Sequence, residues 1–386
     1  MTDDSAVEVE WGTHAARLAD ELLAAGKLTD PRLAEAIRAT PRHVFVPAFH
    51  RQAADGSWTE HAGDLAAVYA NTPLITALTE KPTGGRSVLS SSTQPGLMTR
   101  MIEALCLASG ARVLEIGTGT GYNAALLAHQ LGDDNVFSVD VEPRLVALAR
   151  QRLAELGRHP TLVAGDGSAG LPEHGPFDAI IATCAVPAIP RAWVDQVRPG
   201  GVILADLKPA PGAGSLVRLV RWGDRAEGRF APTYAAFMDL RHAPAAHPVG
   251  FRVERNHARA EHRATELDPN TPWTSLLVWF LASFDLGPEI SYGYTLTGDE
   301  APPAASWLAT PDGSWAEVAF AVEHGLHPVA EGGPRRLWSL VENAHRVWTD
   351  LGRPGWGRFG LTVTSEAQVV WFDQPDSDHA WELAVR

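Results

Sequence analysis

With 386 residues, the chain has room for two domains, or for one domain carrying a large extension. Apolar content of 45% is ordinary for a globular protein, and no uninterrupted apolar run reaches the roughly 18 residues of a membrane-spanning helix. A net charge of −14 repels polyphosphate and makes nucleic acid a poor substrate.

The start, Met1-Thr2-Asp3-Asp4, is acidic and lacks the basic and apolar regions of a secretory signal, which predicts a cytoplasmic protein. Residues 9–26 carry Leu18, Leu22 and Leu23 at helical spacing, with Gly26 as terminator. Asp30-Pro31 reads as the start of a second helix, capped by Asp30 and running to about Ala39. Residues 50–87 show no strong period and read as loops crossing the front of the main domain. Cys106 and Cys184 are the only cysteines, so a disulfide framework is not expected. The 15 histidines show no metal-ligand spacing, and no metal is expected.

From residue 94 the alternation becomes regular. Pro95 opens a helix that ends before Gly110. A strand (Arg112–Ile116), a helix (Asn123–Leu131) and a second strand (Val136–Val139) follow. Pro143 starts another helix; further strands are expected near Thr161–Ala164, Ala179–Thr183 and Val202–Asp206. Apolar strands alternating with helices imply a parallel sheet covered on both faces, a doubly wound α/β arrangement. Ser215–Trp222 and Phe230–Leu240 read as closing strands. Three regions result: residues 1–92 with helices and substrate-side loops, residues 93–242 with the main sheet, and an α+β extension, residues 243–386. The extension holds nine of the thirteen tryptophans, a helix (Arg335–Leu351) and a hairpin (Phe359–Thr364 with Val369–Phe372). Its tryptophans either fill a small core or line a surface that grips a peptide; Trp348 reads as core and Trp356 as the better contact candidate.

The most informative stretch is Val113-Leu114-Glu115-Ile116-Gly117-Thr118-Gly119-Thr120-Gly121-Tyr122. Glycines at a strand-to-helix turn let backbone approach a ligand closely. The usual dinucleotide spacing is G-x-G-x-x-G; here it is G-x-G-x-G after an acid, which suits S-adenosylmethionine. Asp140 ends the second strand, 19 residues after Gly121, where a carboxylate can accept from both ribose hydroxyls. Val141 follows it. Gly165-Asp166-Gly167 follows the third strand, placing Asp166 toward an adenine amino group and Gly167 close to the ring. Glu115 is expected to shape the glycine loop and to face the methionine ammonium. The predicted cofactor set is therefore Glu115, Gly117, Thr118, Gly119, Gly121, Asp140, Val141, Asp166 and Gly167. It offers acids to donors and no base to a phosphate, which favours S-adenosylmethionine over nicotinamide or flavin.

Several stretches occur in order: Pro41-Arg42-His43-Val44-Phe45-Val46-Pro47; Tyr69-Ala70-Asn71-Thr72-Pro73-Leu74; Thr93-Gln94-Pro95; the glycine loop; Gly165-Asp166-Gly167; Phe177-Asp178-Ala179-Ile180-Ile181; and Gln196-Val197-Arg198-Pro199-Gly200-Gly201. On these, residues 10–240 resemble the protein-L-isoaspartate O-methyltransferase family. The resemblance implies a class I methyltransferase fold (Rossmann-like) and carboxyl methylation. Two departures stand out. The family's catalytic serine, two residues before the proline in T-I-S-x-P, is Thr93 here. Its F-V-P-L stretch, which helps hold the isoaspartyl backbone, reads Phe237-Met238-Asp239-Leu240. The tail after 240 is taken as absent from ordinary repair enzymes. The serine run Ser90-Ser91-Ser92 before the proline, with such a tail, looks like the actinobacterial branch encoded beside ribosomally made peptides, which methylates an aspartate in a lanthipeptide or graspetide. The ester then collapses to aspartimide, which can hydrolyse to isoaspartate.

Carboxyl methylation needs little base, because an aspartate of pKa ~3.9 is already ionised at neutral pH. Hydroxyls orient a carboxylate without the ion pairing that would quench it. Ser91, Ser92 and Thr93, on the loop entering the Pro95 helix, are the catalytic candidates; capping that helix is their other possible role. The expected partner is a modified precursor peptide, and the oligomeric state is left open. Competing readings are isoaspartyl repair, methylation of a base or amine, and a non-catalytic S-adenosylmethionine-binding escort. Thr183-Cys184-Ala185-Val186-Pro187 replaces the [N/D]-P-P-[Y/F] turn of many base-amino methylases.

Overall fold

The computed structural model describes residues 4–81, 84–232, 234–244, 253–298 and 301–384. Three helices open it: α1 (Asp4–Ala24), α2 (Pro31–Ala39) and α3 (Arg42–Phe45). Asp30 caps α2 by accepting from the Arg32 amide at 2.8 Å, and Pro31 occupies the first turn, where no amide is needed.

The stretch expected to be loops instead forms a four-stranded antiparallel sheet. Its strands are β1 (Ala48–Gln52), β2 (Trp58–Ala62), β3 (Leu74–Glu80) and β4 (Arg86–Ser92), ordered β2-β1-β3-β4, with one helical turn, α4 (Leu65–Val68), between β2 and β3. Only Phe49, Leu74, Ser90 and Ser92 of these strands are buried. So few apolar inward positions leave no alternation to read.

The alternating region follows its expected order: α5 (Pro95–Ala104), β5 (Val113–Ile116), α6 (Tyr122–Leu131), β6 (Val136–Asp140), α7 (Pro143–Glu155), β7 (Thr161–Ala164), β8 (Phe177–Val186), α8 (Arg191–Gln196) and β9 (Val197–Ala210). β7-β6-β5-β8-β9 are parallel neighbours. Every residue of β5 and β6 is buried, as strands covered on both faces require. The antiparallel β10 (Ala213–Trp222) and β11 (Arg225–Phe230) extend the sheet beyond β9. The strand expected over Phe230–Leu240 ends at Phe230. Pro232 offers no amide to a ladder, and the chain leaves the sheet there.

The extension opens with a five-stranded antiparallel sheet of β12 (Glu261–Thr265), β13 (Ser291–Thr295), β14 (Ala305–Ala309), β15 (Trp315–Ala319) and β16 (His327–Gly332). Between β12 and β13 lie α9 (Thr271–Thr274) and the apolar α10 (Leu276–Leu286); α11 (Leu337–Asp350) follows β16. The chain then returns to the large sheet. β17 (Phe359–Val363) pairs with β11, and β18 (Gln368–Phe372) and β19 (Ala380–Glu382) complete ten strands.

Period-2 alternation along β5 sends Val113 to one apolar core and Leu114 to the other. The first core includes α1, α2, α5, α6 and α7. The second is shared by Ile180, Ile203 and Val217 of the large sheet with Trp279 and Phe280 of α10 and Trp338 of α11. Trp356 packs there too, its ring 5.1 Å from Phe280 and 5.6 Å from Phe230, so the better contact candidate is a packing residue. Among the described residues, no helix is long and apolar enough to cross a membrane.

Trp279 is fully buried and its indole N–H donates to the Pro211 carbonyl at 2.9 Å. Trp279→Ala is expected to cost about 3–5 kcal/mol of stability, read as a lowered denaturant midpoint. A loss under about 1 kcal/mol would mean the extension contributes little to the shared core.

Candidate active site

The order of the parallel strands reverses between β5 and β8, opening a crevice at their carboxyl ends. A cavity of about 300 Å³ lies there. Its walls come from the glycine loop, the end of β6, the serine-rich end of β4 and the segment after β11.

Gly117 has φ +100°, and a Cβ there would lie 2.6 Å from Thr183 Oγ1. That hydroxyl donates to the Gly117 carbonyl at 2.8 Å. Gly121 has φ +89°, and its Cβ would lie 2.9 Å from the Ala149 methyl. Glycine is therefore required at both ends of the loop, once for conformation and once more for space. Between them, the Gly119 amide donates to Asp140 Oδ2 at 2.9 Å, while Asp140 Oδ1 accepts from the Glu142 amide at 3.0 Å. Burial pushes the Asp140 carboxyl up, and these two amides oppose the shift. Val141 also lines the cavity.

Glu115 is fully buried, and its two oxygens accept from Asn123 Nδ2 and Ser138 Oγ, each at 2.6 Å. Thr118 Oγ1 lies 2.7 Å from the same Ser138 oxygen. The loop is thus tied through Thr118 and Ser138 to the acid that precedes it. Burial raises the Glu115 carboxyl to about 7.

Gly167 lines the cavity, and a Cβ there would lie 2.5 Å from Ile116 Cγ2. The neighbouring Asp166 stands outside that lining. Its Oδ1 accepts from the Ser168 amide at 2.9 Å, and its Oδ2 lies 2.9 Å from His242 Nδ1.

Ser91, Ser92 and Thr93 all line the cavity, as does Ser90. A Cβ on Gly119 would sit 3.6 Å from Ser90 Oγ, so the hydroxyl wall abuts the glycine loop directly. None of these hydroxyls caps α5. Its N-cap position is Gln94, without a side-chain bond, and the Gly96 amide is met by Asn71 Oδ1 at 2.8 Å. The wall is braced from behind by Arg42, whose Nη2 donates to Ser92 Oγ at 3.2 Å and to the Thr93 carbonyl at 3.3 Å.

Sequence patterns do not single out Asn123, Ser138 or Thr183, because polar residues in these places carry no spacing rule. The segment Tyr234–Arg241, most of which lies within the strand expected over Phe230–Leu240, crosses the cavity instead. The Ala185 amide donates to the Met238 carbonyl, and the Leu240 amide donates to the Ala185 carbonyl, both at 2.8 Å. A buried Lys208–Asp206 pair at 2.8 Å holds Phe237 by both backbone groups. Arg241 adds a cation to the cavity wall and donates to the Leu89 carbonyl at 3.3 Å.

A loop that tolerates no Cβ at Gly117 or Gly121, facing a buried carboxylate on the next strand, suits a ribose-bearing ligand. Comparison with known proteins agrees. Residues 13–227 match the family model described as protein-L-isoaspartate(D-aspartate) O-methyltransferase. The chain belongs to that family. It is 39% identical over 218 residues to a protein-L-isoaspartate O-methyltransferase of Methylorubrum extorquens, covering 56% of this chain and 84% of the relative. A relative of the same name from Ignicoccus hospitalis is 34% identical over 202 residues, covering 52% and 84%. A solved structure titled protein-L-isoaspartate O-methyltransferase aligns with a TM-score of 0.52 at 21% identity, over 93% of this chain and 99% of its own. The fold is therefore that of a class I methyltransferase, and the chain is a carboxyl O-methyltransferase that uses S-adenosylmethionine. Coverage of 93% reaches far past residue 240. The family model ends at residue 227, and the relatives from Methylorubrum extorquens and Ignicoccus hospitalis match only 56% and 52% of this chain, so the sheet-rich C-terminal region lies beyond the match to both.

Gly117→Ala is expected to abolish binding of S-adenosylhomocysteine, and Asp140→Asn to weaken it about ten-fold or more, in calorimetry on folded protein. Unchanged affinity in both would remove the loop from the cofactor site. Glu115 carries a separate prediction. An acid whose folded pKa is raised from 4.5 to about 7 binds more protons folded than unfolded across that window. Its contribution to stability therefore falls as pH rises from about 4.5 to 7. Glu115→Gln is expected to flatten this decline in urea titrations; an unaltered pH slope would contradict it.

Proposed function

We propose that the chain methylates an aspartyl side-chain carboxylate in a modified ribosomal peptide, with the ester going on to aspartimide or isoaspartate. The observation supporting this reading is Thr93 in the place of the family's serine, on a wall of hydroxyls directly against the glycine loop. The altered stretch Phe237-Met238-Asp239-Leu240 lies across the same cavity. Burial raises the Asp239 carboxyl, and Lys208 partly offsets that.

The cofactor set would hold S-adenosylmethionine through the Gly117–Gly121 backbone and the Asp140 carboxylate, with Glu115 shaping the loop; Asp166 would reach the adenine once released from His242. When bound, S-adenosylmethionine supplies an electrophilic methyl group on a positive sulfur. The protein's own task is then placement. Ser91, Ser92 and Thr93 would donate to the carboxylate oxygens and fix their direction. Such positioning can contribute several kcal/mol of barrier lowering, on the order of 7 or more at best. The α5 N-terminus adds a field that favours an anion. In the methyl ester, the backbone nitrogen of the next residue can attack the ester carbon, closing a five-membered ring as methanol leaves. The extension, residues 243–386, would supply peptide recognition.

A second reading is repair-type methylation of isoaspartyl proteins, favoured by the name shared by both relatives. Mass spectrometry separates the two when a cyclised aspartyl peptide, its linear form and an isoaspartyl standard are each incubated with S-adenosylmethionine. The expected result is one added methyl followed by methanol loss on the cyclised peptide alone. Preferential methylation of the isoaspartyl standard would decide for repair.

A further inference from the structure

Arg42 is fully buried, and its hydrogen bonds can be counted donor by donor. Nη1 donates to the Val68 carbonyl at 2.7 Å and the Ala70 carbonyl at 3.2 Å. Nη2 donates to Ser92 Oγ and to the Thr93 carbonyl. Nε is buried with no partner. All four acceptors are neutral, and among the described residues no carboxylate lies within ion-pair distance. Burial lowers this guanidinium to about 10, so it stays cationic at neutral pH. An interior charge balanced only by dipoles is costly.

The charge stands one side chain behind the cavity wall at two places. Ser92 lines the cavity, and so does Tyr122, whose ring centre is 5.7 Å from the guanidinium carbon. Because Ser92 Oγ accepts from Arg42, its own proton is free to point elsewhere. Accepting from a cation also polarises that O–H and strengthens it as a donor. We infer that Arg42 is a positioning residue for the accepting carboxylate: it polarises Ser92 and supplies the interior positive charge that the substrate anion meets. This rests on the reading that a peptide carboxylate is the group methylated.

The test compares a carboxylate with its neutral isostere. The cyclised aspartyl peptide and the isoaspartyl standard are each made with the reacting carboxylate and with a carboxamide in its place. Binding is measured in the presence of S-adenosylhomocysteine. Wild-type protein is expected to prefer the carboxylate form of its substrate. Arg42→Met is expected to cut that preference about ten-fold or more while S-adenosylhomocysteine affinity stays within about two-fold. Arg42→Lys, which keeps the charge without the fork, should restore part of the preference. Ser92→Ala should lose it similarly with Arg42 still in place, which covers the case of Arg42→Met failing to fold. Equal weakening toward both forms, or an unchanged preference in Arg42→Met and Ser92→Ala, would overturn the assignment. Methylation of neither peptide by the wild-type protein would instead overturn the functional reading, and the role of Arg42 with it.

Discussion

Glu115 is an acid at the end of a strand that water cannot reach. A carboxylate there needs partners inside the protein, and it takes one from the helix that follows and one from the neighbouring strand. Asn123 and Ser138 thereby lock β5, α6 and β6 to one another at the point where the chain turns back. Thr118 joins through Ser138, so the loop inherits the same rigidity. The Gly119 amide is then held at the Asp140 carboxylate. Loop, acid and strand end form one hydrogen-bonded unit, and the cavity takes its shape from it.

The opposite wall is built on different principles. It comes from a strand of which only Ser90 and Ser92 are buried, and an interior cation holds its end through Ser92 and Thr93. Arg42 links α3 to the Val68 and Ala70 carbonyls at the end of α4 and, 50 residues away in sequence, to Ser92 at the end of β4. Asn71 secures the start of α5 in the same region. The segment 234–241 closes the remaining side, tied to the end of β8 and to the Asp206–Lys208 pair. The glycine loop thus faces a wall of hydroxyls and a crossing segment, each fixed by its own polar network.

The alternating core was legible because β5, β6, β8 and β9 are apolar runs separated by amphipathic helices, and because glycine at 117 and 121 leaves a spacing that chance seldom supplies. Asp140 was legible from its distance to that loop. The β1–β4 sheet was not, since most of its side chains meet solvent and impose no alternation. Arg42 could be quoted within a motif, yet nothing in the sequence says that its charge lies unpaired. Its acceptors are 26 to 51 residues away, so only tertiary structure brings them together. Asp166 shows the reverse case. Its position after the third strand was readable, but its contact with His242, 76 residues on, was not.

The return of β17 to the edge of β11 bears on how this protein can be re-engineered. A module that hangs from a linker can be exchanged at the linker. Here the last strands continue a ladder begun by the first half of the chain, and α10 roofs part of that same ladder. Grafting in a sister protein's C-terminal portion would leave two mismatched seams, one of backbone hydrogen bonds and one of packed aromatic rings. Domain-shuffling experiments on this scaffold must therefore cut through the sheet or leave it whole.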